Sequence, residues 1–283
     1  MQSRTSTTAA TIARPLVERF QRPSVMGVVN VTPDSFSDGG LYFRREPAAA
    51  LAWGMLDDGA AIVDVGGEST RPGSEGVSVD EELGRVVPVL EELVGAPRSI
   101  DTSRAEVARR ALELGAELVN DVTALRGDAE LAGVVAEADA YVCLMHMQGE
   151  PRTMQQNPTY DDVVSDVCRF LEERAAFAVD AGIAEERICV DPGFGFGKTV
   201  EHNFELLRRL SEVCALGFPV LVGLSRKSSL GKIQGDPTAT VGSIAASVAA
   251  AVAAYERGAW IVRAHDVREH VEALRVAAEV VRA

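Results

Sequence analysis

The chain has 283 residues, 47% of them hydrophobic and 25% charged, which is the composition of a globular protein with a sizeable core. Its formal net charge of −14 at pH 7 argues against nucleic acid or an anionic membrane as a partner, because both require a basic surface. No apolar stretch approaches the roughly 18 uncharged residues of a transmembrane helix, so none is predicted.

The first twenty residues are rich in Thr, Ser, Ala and Arg and carry no acidic residue before Glu18. A transit peptide has this composition, but the segment lacks the apolar stretch of a secretory signal. The simpler interpretation is a flexible tail over residues 1–21, followed by a single catalytic domain over residues 22–283.

Beyond the tail, short β-like runs alternate with segments whose apolar residues recur at three- and four-residue spacing, as Leu83, Val86 and Leu90 do. The predicted strands cover residues 25–30, 61–65, 98–101, 118–121, 141–146, 188–191, 220–223 and 260–264. Eight such units without a break predict an α/β fold, a single-domain (β/α)8 TIM barrel. The main alternative, a doubly wound open sheet, would normally bring a GxGxxG turn after its first strand, and that pattern is missing.

Polar residues lie at or near the ends of the predicted strands. They are Asn30, Asp64, Asp101, Asn120, Asp121, His146, Asp191, Ser225, Arg226, Lys227, Arg263 and His265. The active site of a barrel enzyme lies at the C-terminal ends of its strands. A polar residue at nearly every strand end is hard to explain by packing, so we expect a polar site at this mouth.

Three of these residues, Asp101, Asn120 and Asp191, are predicted to point into one mouth. Carboxylates and an amide that converge suit a flat heterocycle with several N–H donors and ring acceptors. A helix cap is an equally good explanation of Asp101 by itself, since Asp is a common N-cap residue.

Residues 191–198 read Asp-Pro-Gly-Phe-Gly-Phe-Gly-Lys, with glycine alternating with phenylalanine. Glycines allow close backbone approach, and the rings can stack on a ligand or form the wall of a pocket. A flexible loop is the alternative, but the Asp-Pro start and the regular alternation favour a shaped site.

Basic residues follow the last two predicted strands, with Ser225, Arg226, Lys227 and Ser228 after the seventh and Arg263 and His265 at the eighth. Loops after these strands often bind phosphate in barrels. We therefore expect an anion site here in spite of the acidic chain.

Two long loops, residues 31–43 and 66–77, follow the first two strands and are small, polar and glycine-rich. Loops of this kind are typical of mobile covers that exclude water during a reaction. We expect them to complete the mouth of the barrel.

The sequence does not favour a tightly bound zinc, because its four histidines do not have ligand spacing and no His-x-His pair ends the first strand. A loosely held Mg²⁺ needs only one or two protein oxygens besides substrate phosphates, and Asn30 is a candidate for one. The four widely spaced cysteines fit a reducing cytosol, so we expect a cytoplasmic protein.

Residues 26–40 closely resemble the first signature of the dihydropteroate synthases, and residues 64–73 resemble the second. Further matches follow in order at residues 99–102, 119–121, 191–198, 225–227 and 263–265. The resemblance covers the chain from Arg22 to its C-terminus. It implies an enzyme of folate biosynthesis that condenses 6-hydroxymethyl-7,8-dihydropterin pyrophosphate with p-aminobenzoate, with Mg²⁺ on the pyrophosphate, and releases 7,8-dihydropteroate and pyrophosphate.

The resemblance also implies roles for individual residues. The implied pterin-binding residues are Asp101, Asn120, Met145, Asp191, Phe196, Lys227 and Arg263. The implied p-aminobenzoate-binding residues are Phe36, Thr70, Arg71, Pro72 and Ser228. Asn30, Arg263 and His265 are implied for the pyrophosphate, with Asn30 also at the metal. The residues expected to act in catalysis are Asp38, Asp101, Lys227 and Arg263, with Asp38 near the developing cation when the first loop closes.

The chain departs from many family members after the Ser-Arg-Lys motif, where it carries Ser228 and Ser229 instead of a basic and a bulky apolar residue. Two small residues beside the p-aminobenzoate pocket would alter its tolerance of sulfonamides, and the family includes sulfonamide-insensitive forms. The resemblance further implies a homodimer whose partners are small-molecule substrates. Two alternatives stay open here: the pterin-binding domain of a corrinoid-dependent methyltransferase, and a paralogue that binds pterin without turnover.

Overall fold

The structure is a computed structural model that describes residues 14–32, 45–69, 76–150 and 152–281. Its described residues form eight strands. These are β1 (Ser24–Asn30), β2 (Ile62–Gly66), β3 (Arg98–Asp101), β4 (Leu118–Asp121), β5 (Tyr141–Met145), β6 (Ile188–Asp191), β7 (Leu221–Val222) and β8 (Ile261–Ala264). Every predicted strand is therefore present, with bounds that differ from the prediction by at most one residue at either end.

Helices connect the strands. They are α1 (Leu16–Arg19), α2 (Arg45–Asp57), α3 (Val79–Glu92), α4 (Ala105–Glu113), α5 (Leu131–Glu137), α6 (Val163–Asp180), α7 (Val200–Arg208), α8 (Leu210–Cys214), α9 (Ser228–Lys232), α10 (Ile244–Glu256) and α11 (Val267–Val281). Several begin at a side-chain cap, such as Ser78 before α3 and Asp162 before α6, whose oxygens accept the N–H of the third residue beyond. Among the described helices, none has both the length and the apolar character needed to cross a membrane.

The strands are all parallel and follow the order β6-β5-β4-β3-β2-β1-β8-β7. A bridge between Val190 and Val220 joins β6 to the residue before β7 and brings the two edges together. This nearly closed parallel sheet with alternating helices confirms the predicted (β/α)8 barrel.

Side chains along each strand alternate between the helices and the barrel interior. Residues that face the helices, such as Val63, Val65 and Ile100, pack with Val86 and Leu90 of α3 in the larger core. The interior has its own apolar layer, formed by Met26, Ile62, Leu118, Tyr141, Cys143, Cys189, Leu221 and Ile261. The interior layer lies towards the N-terminal ends of the strands and leaves their C-terminal ends to other residues.

The N-terminal segment closes this interior layer from below. Leu16 and Phe20 are fully buried in the same cluster, and the Phe20 ring meets Tyr141 edge-on with ring centroids 5.9 Å apart. Arg19 donates two hydrogen bonds to the Glu117 carboxylate, at 2.7 and 2.6 Å. The predicted tail over residues 1–21 is thus too long, because residues 16–20 cover apolar surface that the barrel base would otherwise expose to water. Residues 1–13 lie outside the described residues.

The four cysteines, at positions 143, 168, 189 and 214, are free thiols. Cys143 and Cys189 are paired neighbours on β5 and β6 and point into the barrel. A hydrogen bond with the Cys189 thiol, together with burial, raises the pKa of Cys143 well above its usual value. Both side chains are therefore part of the apolar core.

Candidate active site

Alternation along the strands explains how the polar residues reach the barrel mouth. The apolar interior layer includes Met26, Ile62, Leu118, Cys189 and Ile261. The residues two positions further along the same strands are Val28, Asp64, Asn120, Asp191 and Arg263. Because a shift of two residues keeps a side chain on the same face, this second layer also points inward, one step nearer the C-terminal ends. The mouth is polar because the second layer is polar.

Arg263 joins two carboxylates across the mouth. Its Nε donates to Asp64 Oδ2 at 2.7 Å, and a terminal nitrogen donates to Asp101 Oδ2 at 2.8 Å. Asp64 is fully buried and also accepts from Ser99 Oγ at 2.7 Å and Asn120 Nδ2 at 2.9 Å. The planar guanidinium thus fixes the relative positions of three strand ends.

Asp101 is not a helix cap, so that alternative is wrong. Arg104 precedes α4, and the first N–H of the helix, that of Ala105, is accepted by Asp128 at 2.9 Å. The Asp101 carboxylate instead faces Arg263 inside the mouth. The structure thus brings together Asp101, Asn120 and Arg263, as the sequence predicted for Asp101 and Asn120.

Asp121 has a different role from its neighbour Asn120. Its carboxylate points away from the mouth and accepts the backbone N–H groups of Thr123 and Leu125 at 2.8 and 2.6 Å. It organises the turn after β4 and leaves Asn120 as the residue of that strand end that faces the site.

Burial shifts the acid groups of the mouth towards their neutral forms. Desolvation raises the pKa of Asp101 to about 7, although Arg263 opposes the shift. Desolvation likewise raises the pKa of Asp191 to about 6, against the effect of the Gly193 N–H and Lys227. Such shifts are typical of ligand-binding and catalytic sites.

Lys227 lies on the other side of the mouth, beyond β7. Its Nζ lies 4.3 Å from the centroid of the Phe196 ring, within cation–π range. Removal of water lowers the pKa of Lys227 to about 8, while Asp191 favours the charged form. Lys227, Asp191 and Phe196 therefore form one wall of the site.

The glycine-rich segment, residues 191–198, is a shaped turn, as the sequence favoured. Gly193, Gly195 and Gly197 all have positive φ, at 68°, 82° and 62°. A Cβ on Gly193 would lie 1.9 Å from the His146 carbonyl oxygen, and one on Gly197 would lie 2.5 Å from that of Gln148. Only glycine permits both the conformation and the close approach to the chain after β5.

Three side chains fix this glycine-rich segment. Asn203 of α7 accepts the N–H of Gly195 at 2.7 Å, and Tyr160 donates to the Gly197 carbonyl at 2.7 Å. Lys198 is buried and donates to the carbonyls of Gly193 and Phe196 at 3.0 and 3.1 Å. Phe196 thus belongs to a segment whose backbone is fixed by several side-chain hydrogen bonds.

The basic residues after β7 and β8 divide into two sets. Arg226 turns outward and pairs with Asp266, with contacts of 3.0 and 2.6 Å, whereas Lys227 turns inward. His265 is tied to Ser225, whose Oγ lies 3.1 Å from His265 Nδ1 and accepts the His265 N–H at 3.1 Å. Lys227, Arg263 and His265 are therefore the basic residues near the mouth.

The remaining predicted site residues are placed as follows. Asn30 is the half-buried last residue of β1, Met145 ends β5 and packs beside Phe196, and Ser228 begins α9 next to Lys227. Asp38, Phe36, Thr70, Arg71 and Pro72 lie outside the described residues.

The sequence placed Asp64 and His146 at strand ends and Lys198 in the glycine-rich segment, but it indicated no individual role for any of the three. Asp64 follows interior Ile62 by two residues, so the alternation along β2 was a usable signal. No local pattern indicated the role of Lys198, because its hydrogen-bond acceptors are set by the path of the glycine-rich segment in the folded protein.

Comparison with known proteins identifies the family of the chain. The model of the pterin binding enzyme family matches residues 26–265. Dihydropteroate synthase of Neisseria meningitidis serogroup B is 50% identical over 91% of this chain and 92% of its own length. That of Escherichia coli K12 is 48% identical and covers 91% of each chain.

Solved structures agree. Xanthomonas albilineans dihydropteroate synthase with 4-aminobenzoic acid has a TM-score of 0.85 at 48% identity and covers 93% of this chain and 94% of its own. Its complex with 7,8-dihydropteroate has a TM-score of 0.82 at 46% identity, covering 93% and 95%. These relatives support the synthase over the methyltransferase-domain and non-catalytic alternatives. The chain therefore belongs to the dihydropteroate synthases, transferases of the pterin binding enzyme family.

Proposed function

We propose that this chain condenses 6-hydroxymethyl-7,8-dihydropterin pyrophosphate with p-aminobenzoate to give 7,8-dihydropteroate and pyrophosphate. The observation that carries the proposal is the ring of hydrogen-bonding groups formed by Asp101, Asn120, Asp191, Lys227 and Arg263 at one mouth. The structures of relatives with 4-aminobenzoic acid and with 7,8-dihydropteroate add support.

The pterin fits the polarity of this ring. Its amino and ring N–H groups are donors, which suit the carboxylates of Asp101 and Asp191, whereas its carbonyl and ring nitrogens are acceptors, which suit Asn120 and Lys227. Phe196 and Met145 supply the apolar wall for a flat heterocycle, and the Arg263 guanidinium offers a planar cation to its face. Recognition by several groups on rigid strands holds the pterin methylene in one orientation.

The pyrophosphate would lie towards Arg263, His265 and Asn30. Arg263 is a cation, His265 carries an imidazole ring, and Asn30 offers an amide oxygen at the end of β1. Within the described residues no three His, Cys, Asp or Glu side chains are grouped as a metal site, which fits a Mg²⁺ held mainly by substrate phosphates. When bound with Asn30 as a ligand, Mg²⁺ would neutralise charge on the leaving pyrophosphate.

The reaction needs no protein nucleophile. The bond between the pterin methylene and the pyrophosphate oxygen breaks, and its electron pair leaves with pyrophosphate. The methylene cation is stabilised by the electrons of the dihydropterin ring, and the p-aminobenzoate amine then bonds to the methylene carbon and loses a proton. Arg263 and Lys227 supply positioning and electrostatic stabilisation, and Asp38 is proposed to lie near the cation.

The p-aminobenzoate site is proposed to include Ser228 together with Phe36, Thr70, Arg71 and Pro72 of the two loops. Ser228 lies directly after Lys227 at the start of α9, and Ser229 beside it is buried. The two small side chains would give the pocket a different shape from one lined by a bulkier pair. A sulfonamide titration of the active enzyme would show whether that shape excludes the drug.

The homodimer remains a proposal. Val276 and Val280, one turn apart near the end of α11, are 67% and 76% exposed. Two exposed apolar residues on one face of this helix support pairing through it. Light scattering on the purified protein, compared with a Val276→Glu variant, tests it: a mass of one chain for the wild type would contradict the dimer.

The experiment for the function measures pyrophosphate release from purified protein with Mg²⁺ and the pterin pyrophosphate, with and without p-aminobenzoate. We expect release that depends on p-aminobenzoate and falls by at least about a hundredfold in Lys227→Ala, in line with the loss of one preorganised electrostatic group. Lys232→Ala, which removes an exposed lysine of α9, is the matched control and should retain full activity. Pterin binding without pyrophosphate release would contradict the proposal.

A further inference from the structure

Lys198 is the last residue of the glycine-rich segment and is only 3% exposed. Its ammonium group donates to Gly193 O at 3.0 Å and Phe196 O at 3.1 Å, and it lies 2.9 Å from His146 Nδ1. An ammonium group has three N–H donors, so each of them has one acceptor. The three acceptors belong to two different strand ends, β5 and β6.

This arrangement is costly if its purpose is only to fill space. Within the described residues no carboxylate lies at ion-pair distance from Lys198, and burial lowers its pKa to about 7, with Asp191 opposing the shift. A buried ammonium without a paired carboxylate is unfavourable, whereas a methionine would fill the same volume without that cost. The three hydrogen bonds therefore explain the lysine better than packing does.

His146 is suited to be a permanent acceptor. Burial and the charge of Lys198 lower the pKa of His146 to about 2, so its ring is neutral. The edge-on contact with Phe170, with centroids 4.9 Å apart, fixes the ring from the outside. With Nδ1 as acceptor, the ring proton resides on Nε2.

The two carbonyls that Lys198 holds flank the turn that presents Phe196. Gly193 and Gly195 have positive φ there, and glycine adopts many other backbone conformations at little cost, so the hydrogen bonds from Lys198 restrict a backbone that would otherwise be free to change. The Phe196 ring itself lies 4.3 Å, centroid to Nζ, from Lys227. Lys198 thus holds the backbone of the turn, and Lys227 contacts the Phe196 ring.

We infer that Lys198 is a positioning residue for the pterin pocket, whose ammonium group fixes the backbone of residues 193–196 so that Phe196 lies against the pterin. The inference rests on the proposed function, because it takes Phe196 as a wall of that pocket. Lys198 acts through Phe196 and does not itself touch the substrate.

The first test compares Lys198→Met with the wild type. We expect the Kd for the pterin pyrophosphate, measured by calorimetry with Mg²⁺, to rise about tenfold, which corresponds to about 1.4 kcal/mol. The KM for p-aminobenzoate at saturating pterin pyrophosphate should stay within twofold. Lys232→Met, the same substitution at an exposed lysine of α9, should change neither value.

A double-mutant cycle with Phe196→Ala tests the route of the effect. If Lys198 acts through Phe196, Lys198→Met should weaken pterin binding less than twofold when Phe196 is already alanine. Equal effects in both backgrounds would overturn the inference, and so would a rise in the KM for p-aminobenzoate as large as that in the pterin Kd.

Two further outcomes are separable. Weakened binding in Phe196→Ala with unchanged binding in Lys198→Met overturns the inference but leaves the proposed function intact. Unchanged binding in Phe196→Ala overturns the proposed role of Phe196 and the inference with it. If the circular dichroism spectrum shows that Lys198→Met is unfolded, Lys198→Gln, which keeps two N–H donors, is used in the same cycle with an expected rise of two- to fivefold.

Discussion

The two ends of the barrel are built from the same strands but differ in the polarity of the side chains that they bury. At the base, Ile62, Leu118 and Ile261 form an apolar layer that Leu16 and Phe20 seal. Two residues further along the same strands, Asp64, Asn120 and Arg263 form a layer of charges and amides joined by hydrogen bonds. One end of each strand therefore contributes mainly to stability and the other mainly to recognition.

A short strand thus contributes to stability at one end and to recognition at the other. Apolar burial at the base lowers the free energy of the folded state, whereas burial at the mouth raises the pKa of Asp101 and Asp191 and so opposes their ionisation. Substitutions at the base should thus change stability and leave the activity of folded molecules unchanged. Substitutions at the mouth should do the opposite.

The largest stability effect is expected from Phe20→Ala at the base. Removing a fully buried ring leaves a cavity against Tyr141, so the free energy of unfolding should fall by about 3–5 kcal/mol. Urea denaturation measures the loss, and kcat/KM per folded molecule should be unchanged. A fall of less than 1 kcal/mol would show that the N-terminal segment does not seal the base.

Arg263→Lys at the mouth should have the largest effect on activity after Lys227→Ala. A lysine cannot bridge Asp64 and Asp101 as the guanidinium does, so we expect kcat/KM for the pterin pyrophosphate to fall about a hundredfold. The melting temperature should change little, because the positive charge remains. Near-normal activity would contradict the role of the two-carboxylate bridge.

Arg19→Ala should have an intermediate effect at the base. The substitution leaves the largely buried Glu117 carboxylate without its two charged hydrogen bonds, which costs about 1.5–3 kcal/mol of unfolding free energy. The matched control, Arg109→Ala, removes an exposed pair with Glu106 and should cost less than about 0.5 kcal/mol. Equal losses of unfolding free energy in the two variants would mean that the Arg19–Glu117 ion pair stabilises the fold no more than an exposed ion pair does.

The pH dependence of kcat/KM should show a smaller effect, which comes from Lys227 at the mouth. Desolvation lowers the pKa of Lys227 to about 8, so its charge is present below pH 8 and is lost as pH rises through that value. We expect kcat/KM for the pterin pyrophosphate to fall about tenfold per pH unit above the Lys227 pKa. Lys227→Arg stays charged, so its kcat/KM should not fall above pH 8, whatever its absolute activity. The same fall in both proteins would exclude Lys227 as its source.

Asp101→Asn should have the smallest effect, a change in how stability depends on pH. The folded state raises the pKa of Asp101 from 3.8 to about 7, so the folded protein binds a proton more tightly than the unfolded chain between these values. The ionised carboxylate therefore opposes folding, and this penalty grows as pH rises from about 4 to 7. Relative to the wild type, the variant should gain melting temperature at pH 8 compared with pH 5. A relative loss at pH 8 would reverse the assigned sign.

The strands and several site residues were predictable because each depends on local sequence. Apolar runs of four to six residues gave strand bounds that differ by at most one residue at either end, and strand ends revealed Asp101, Asn120 and Asp191. The bridge from Arg263 to Asp64 spans 199 positions, so no local pattern contains it. The N-terminal seal escaped prediction because Leu16 and Phe20 are isolated apolar residues in a polar segment.

Pairing between adjacent strands is not uniform around the barrel. In the described structure β7 has only two residues, and its edge meets β6 through the bridge between Val190 and Val220. We expect amide hydrogens along this seam to exchange with solvent sooner than those of β1 and β2, whose pairing spans five residue pairs. Asp191 stands above one side of the seam and Lys227 above the other, so a pterin that contacts both would fasten the edges together. Bound pterin should therefore slow hydrogen exchange along β6 and β7, so that the substrate completes the closure of the barrel that binds it.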